Sequence, residues 1–162
     1  MRSHHFFISC FLFIILYLRM KITIINGPNL NLLGTRETDI YGNMSFDKFL
    51  EQLRKKFAGI EIGYFQSNVE GEIVNGIQRA AADSDGIVLN AAGYTHTSVA
   101  IGDAVAAIKT SVVEVHISNV YAREDFRKFS HLSGKAVGSI VGLGLKGYEL
   151  AVEYLIDKNN SQ

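Results

Sequence analysis

Apolar positions fall into short continuous runs and longer periodic stretches that take turns along the chain. Residues 21–26 (KITIIN) form an apolar, β-branched run closed by Gly27-Pro28, which predicts a strand ending in a turn. Residues 45–58 place Phe46, Phe49, Leu50, Leu53 and Phe57 at helical spacing, with Ser45 as N-cap and Asp47 in the first turn. A second strand is predicted over 60–66 and a helix over 70–82, with Ile73, Ile77 and Ala80 on one face. Residues 86–90 (GIVLN) carry the unbroken apolar character of a strand buried on both faces. An Ala-rich helix over 97–109 follows, then a strand over 112–118 and one or two helical turns over 123–129. A strand over 136–141 and a helix over 145–157 complete the alternation.

Five strands alternating with helices imply βαβ units. The predicted fold is α/β, a flavodoxin-like, doubly wound, five-stranded parallel sheet with helices on both faces. The longest loop, residues 27–44, has the length of a binding loop or lid.

Composition divides the chain. Residues 6–18 (FFISCFLFIILYL) hold no charge, yet the run is shorter than the ~20 residues a spanning helix needs. No small-x-small cleavage pattern precedes Met20, where a strand-like segment begins directly. An uncleaved anchor and a poor secretion signal are two readings. An upstream start codon that is not used fits better, with residues 1–19 a hydrophobic extension and residues 20–162 a single cytoplasmic catalytic domain. The 16 basic and 16 acidic residues balance, which argues against a general nucleic-acid binder. Without residues 1–19 the only cysteine, Cys10, is gone, so a thiol nucleophile and a disulfide framework are excluded from the domain. His96, His116 and His131 remain.

Ligands of an open parallel sheet sit beyond the carboxyl ends of its strands. Those ends carry Asn26, Asn29 and Asn31; then Gln66, Ser67 and Asn68; then Asn90 to His96; then His116, Ser118, Asn119, Arg123 and Arg127. The lid adds Arg36, Glu37 and Tyr41. Taken singly, each has an ordinary explanation: a turn former, a satisfied core histidine, a solvated pair of arginines. Together they make an amide- and hydroxyl-rich crevice suited to a small polyhydroxylated anion. No Asp- or His-rich metal pattern and no Gly-x-x-x-x-Gly-Lys-Ser/Thr loop occurs, which argues against metal-assisted hydrolysis and ATP chemistry. Gly142, Gly144 and Gly147 match Gly-x-Gly-x-x-Gly, but no strand with an acidic ribose partner follows them. Close helix–strand packing is the better reading, with a nucleotide- or flavin-binding module as the alternative. A membrane-tethered scaffold is a third reading, motivated only by residues 6–18.

Four segments carry a resemblance: residues 26–42 (NGPNLNLLGTRETDIYG), 65–74 (FQSNVEGEIV), 89–104 (LNAAGYTHTSVAIGDA) and 113–130 (VEVHISNVYAREDFRKFS). In this order they resemble the type II 3-dehydroquinate dehydratases over residues 20–156. The resemblance implies a hydro-lyase that reversibly dehydrates 3-dehydroquinate to 3-dehydroshikimate in the shikimate pathway, with no metal, cofactor or Schiff-base lysine. It implies Tyr41 as the base, Arg36 as its activator, Asn29 as the holder of a water at the enolate oxygen and His116 as the acid. By the same resemblance Asn90, His96, Ile117, Ser118 and Arg127 bind substrate, and Asp103 reaches a neighbouring subunit's site. Glu114 precedes His116 by two residues, so strand alternation gives both one face and lets Glu114 orient the imidazole. Trimers grouped into dodecamers are implied, with neither nucleic acid nor membrane as partner. Two departures stand out. Ala91-Ala92 replaces the Pro-Gly or Gly-Gly that many relatives carry, and Gly102 stands where a long side chain often precedes Asp103.

Overall fold

A computed structural model describes residues 20–34 and 44–161. Residues 1–19 and lid positions 35–43, with Arg36, Glu37 and Tyr41, lie outside the described residues. Strands β1 (Lys21–Asn26), β2 (Glu61–Gln66), β3 (Gly86–Asn90), β4 (Ser111–His116) and β5 (Gly138–Val141) form one sheet. Every neighbouring pair is parallel, and the order is β2-β1-β3-β4-β5. This is the doubly wound order expected, with its switch between β1 and β3.

The helices are α1 (Phe46–Lys56), α2 (Glu70–Asp83), α3 (Val99–Ala107) and α4 (Lys146–Asn160). Ser45 caps α1 by accepting from the Lys48 N–H, as its position before the apolar period predicts. Ser98 does the same for α3 through Ile101, so that helix starts two residues later than the pattern suggested. Two apolar clusters fill the two faces of the sheet. Ile22, Ile24, Val88, Val113 and Val115 pack with residues of α1 and α4. Ile25, Ile87, Leu89 and Val112 pack with residues of α2 and α3. Adjacent residues of one strand enter opposite clusters because strand side chains alternate. All five residues of β3 are buried, which explains its unbroken apolar run.

Residues 123–129 hold one helical turn, Asp125–Lys128, of the 3-10 type, and another 3-10 turn, Val120–Ala122, precedes them. The Gly142–Gly147 run packs the chain closely. The Gly142 and Gly144 N–H groups donate to the His116 and Ile117 carbonyls. A Cβ on Gly147 would press on Ile140 and Val115. With those two amides spent on the end of β4, the packing reading holds over a phosphate cradle. Among the described residues no helix is long and apolar enough to cross a membrane.

Candidate active site

At the switch point the ends of β1, β3 and β4 open on a crevice of about 260 Å³. The β1 side supplies Pro28 and Asn29. Asn29 sits in the left-handed region at φ 65°, which asparagine tolerates better than most residues. Its N–H donates to Asn68 Oδ1 at 3.0 Å, joining the β1 and β2 loops. Gly27 makes the turn possible. A Cβ there would lie 2.6 Å from the Ala91 carbonyl oxygen, while the Gly27 N–H donates to the Asn90 carbonyl at 2.7 Å.

The β3 side supplies Asn90, Ala92, Gly93 and His96. Asn90 is held from both ends of its amide. Its Nδ2 donates to the Tyr148 hydroxyl at 2.8 Å, and its Oδ1 accepts from the Ala92 N–H at 3.1 Å. Tyr148, wholly buried on α4, donates in turn to Asn26 Oδ1 at 2.8 Å. One phenol thus ties the ends of β1 and β3 together. Burial raises its pKa far above the usual range despite its hydrogen bonds with the two asparagines, so it stays neutral. The turn Ala92–His96 then aims His96 into the crevice. His96 Nδ1 lies 2.7 Å from the Phe129 carbonyl oxygen. A carbonyl only accepts, so Nδ1 carries the hydrogen and the neutral ring offers Nε2 as acceptor. Burial is the main reason that the His96 pKa is lowered, with His116 and Arg127 adding to it.

The β4 side supplies His116, Ile117 and Ser118. The His116 ring stacks near that of His96, centroids 6.0 Å apart. Its Nε2 lies 3.0 Å from Glu114 Oε1, and both residues are buried. Burial pushes the Glu114 carboxyl up, but hydrogen bonds from His116, Ser133 and Ser139 outweigh it and hold the pKa at about 2. Ionised Glu114 is an acceptor only. Nε2 of His116 therefore bears a hydrogen in that contact.

Arg123 and Arg127 close the crevice. Both also pair with Glu124, at 3.4 and 2.8 Å, and Arg123 Nη1 reaches Ser118 Oγ at 3.4 Å. They thus form surface ion pairs and also line the crevice. The crevice brings together Asn29, Asn90, His96, His116, Ile117, Ser118 and Arg127, with Glu114 behind His116. It does not include Asp103, which lies on α3, largely exposed, and pairs with Lys135 at 3.0 Å. Arg36 and Tyr41 lie outside the described residues. Sequence reasoning missed Tyr148, which reads as one more apolar position of the closing helix, and the serines around Glu114. Among the described residues, no three His, Cys, Asp or Glu are grouped to hold a metal ion.

A family model described as dehydroquinase class II matches residues 20–156. A 3-dehydroquinate dehydratase from Fusobacterium nucleatum is 56% identical over 146 residues, 87% of this chain and 99% of its own. One from Campylobacter jejuni is 52% identical over 139 residues, 85% of this chain and 87% of its own. The crystal structure of a type II dehydroquinase from Butyrivibrio crossotus superposes with a TM-score of 0.82 at 47% identity, covering 85% of this chain and 98% of that one.

Proposed function

The chain belongs to the class II dehydroquinase family, and from that premise we propose that it reversibly dehydrates 3-dehydroquinate to 3-dehydroshikimate through an enolate, without metal or cofactor. The observation that carries this reading is the buried Glu114–His116 pair, which opens onto a crevice of amides, a second imidazole and arginine.

The proposed steps follow from the groups available. Tyr41, as phenolate, takes the proton from the carbon next to the ketone, and the C–H electrons form the enolate. A free tyrosine has a pKa near ~10. Arg36 five residues earlier on the same loop favours the ionised phenol by its charge. Asn29, at the mouth of the β1 turn, holds a water against the developing oxyanion. As the enolate collapses back to a ketone, the β-hydroxyl leaves with a proton from Nδ1 of His116, so water departs and a conjugated enone remains. Neutral His96 accepts from a substrate hydroxyl through Nε2, and Asn90 orients the ring. Ile117, Ser118 and Arg127 receive the carboxylate. Asp103, outside this crevice, acts toward a neighbouring subunit in a trimer-based dodecamer. The proposed setting is the cytoplasm and the shikimate pathway.

The test is turnover. Purified protein given 3-dehydroquinate in the presence of a metal chelator should produce an enone, followed by its ultraviolet absorbance. A folded sample that leaves the substrate unchanged rejects the reading.

A further inference from the structure

Glu114 is a wholly buried carboxylate with a full set of donors. Oε1 accepts from His116 Nε2 at 3.0 Å and from Ser130 Oγ at 2.9 Å. Oε2 accepts from Ser139 Oγ at 2.8 Å and from Ser133 Oγ. A carboxylate has about four lone-pair sites, so its acceptor capacity is used up. The direction of the Ser130 bond is fixed as well. Ser130 Oγ already accepts the N–H groups of Leu132 at 3.0 Å and Ser133 at 2.9 Å, which leaves its own hydrogen for Glu114.

The placement is built into the fold. Ser139 is the β5 register partner of Glu114 on β4, so the two side chains stand beside each other on one face of the sheet. Ser130 and Ser133 flank Leu132, which is fully buried in the cluster on that same face and pins their segment. Ser133 and Ser139 belong to exposed stretches of chain, yet both hydroxyls turn in to a carboxylate that water does not reach.

We propose that Ser130, Ser133 and Ser139 are positioning residues for the proton-donating half of the reaction: they keep Glu114 charged and in one orientation, and Glu114 in turn holds His116. This deepens the dehydratase reading and rests on it. The other ionisable groups facing Glu114 are its partner His116 on β4 itself and His96 from the turn after β3, which senses both Glu114 and Arg127. Removing the Ser133 and Ser139 hydroxyls would leave Oε2 buried without a donor. Glu114 would then take up a proton at higher pH, and His116 would lose its anionic partner.

The experiment compares kcat–pH profiles of the full chain with Ser139→Ala, Ser139→Thr and the double variant Ser133→Ala/Ser139→Ala, each also in a Glu114→Gln background. In the double variant kcat should fall roughly tenfold to a hundredfold while KM changes less than about twofold. The acid limb should rise by about one pH unit or more, and Ser139→Thr should restore most of the wild-type profile. In the Glu114→Gln background the serine changes should cost nothing further, because residues acting through one group are not additive. Equal losses in both backgrounds, or an unmoved acid limb, would overturn the proposal. Ser139→Ala alone, on an exposed edge strand, carries the same comparison if the double variant does not fold. Carbon NMR of the Glu114 carboxyl gives a readout that needs no turnover. Its titration should move to higher pH in the variants, and an unchanged midpoint counts against the cradle. An inactive wild-type chain would reject the dehydratase reading, and the carboxyl titration would still decide whether the serines hold Glu114.

Discussion

Two buried polar networks stand side by side at the ends of the strands, and they are built from opposite materials. Asn26, Tyr148 and Asn90 join β1 to β3 through a phenol and two amides, none of which ionises in the working range. Glu114, His116 and three serines join β4 to β5 and to the segment between them through a carboxylate and an imidazole. Both are screened from water, so an unmade hydrogen bond is costly in either. Only the second can change charge. The neutral network fixes where the crevice walls stand, and the charged one holds groups that can trade a proton. A site that needs both rigid placement and proton transfer can divide the tasks between neighbours, so that titration of one does not loosen the other.

The largest expected effect falls on the charged network. His116→Ala should lower kcat by roughly 10²–10⁴-fold, the usual worth of a placed general acid, with a much smaller change in KM. Steady-state measurement of enone formation checks this. A kcat within a few-fold of wild type would remove His116 from the acid's role and leave the contrast between the networks without its functional half.

Next comes pH-dependent stability. Glu114 has its folded pKa lowered from 4.5 to about 2. Its contribution is therefore present above the unfolded value and is lost as pH falls through the folded one. The gap corresponds to at most roughly 3–4 kcal/mol, using about 1.4 kcal/mol per pKa unit. Urea unfolding from about pH 6 to about pH 2 should show this dependence in the wild-type chain and a flatter curve for Glu114→Gln. Parallel curves would mean that the carboxylate is not held by its donors in solution.

The neutral network should respond without any pH dependence of that kind. Tyr148→Phe deletes one hydroxyl that donates to Asn26 and accepts from Asn90. Leaving two buried amides short of a partner should cost about 1–3 kcal/mol. The loss should be the same at about pH 5 and about pH 8, because no member of the network titrates between them. Denaturant unfolding at the two pH values checks it. KM should rise more than kcat falls, since Asn90 is a wall of the crevice.

This contrast also explains how much could be read in advance. The alternation of five strands and four helices follows from apolar periodicity, and the cap of α1 from Ser45, because strand and helix each leave a local period in the chain. The crevice residues at the ends of β1, β3 and β4 follow from the rule that ligands sit there. Glu114 and His116 are two apart on one strand, so their contact is a local matter. Tyr148 is 58 residues from Asn90 and 122 from Asn26, and nothing near it marks a polar role for an aromatic on an apolar helix face. Ser133 and Ser139 reach Glu114 only through the pairing of β5 with β4, and serines in loops and edge strands are usually solvated turn formers. The helical turn expected within residues 123–129 is present at Asp125–Lys128, but its tight 3-10 form left no mark in the charge spacing. Local chemistry was legible, and contacts made by tertiary pairing were not.

The smallest expected effect lies at the seam of the neutral network, at Ala92. Ala92 has φ 52°, in the left-handed region, while its N–H is held by Asn90 Oδ1. A side chain in that conformation costs roughly 1–2 kcal/mol relative to glycine. Glycine gives back part of the gain through the greater entropy of the unfolded chain, on the order of 0.5–1 kcal/mol. Ala92→Gly should therefore raise stability by about 1 kcal/mol or less, with no change in its pH dependence. Asn90 would keep its bond to the Ala92 amide position, so KM should stay within about twofold of wild type. Thermal and urea unfolding at two pH values measure the first part, and steady-state kinetics the second. A clear loss of stability would mean that the left-handed turn is not what holds Asn90. The rigidity of the β3 wall would then have to come from Tyr148 alone.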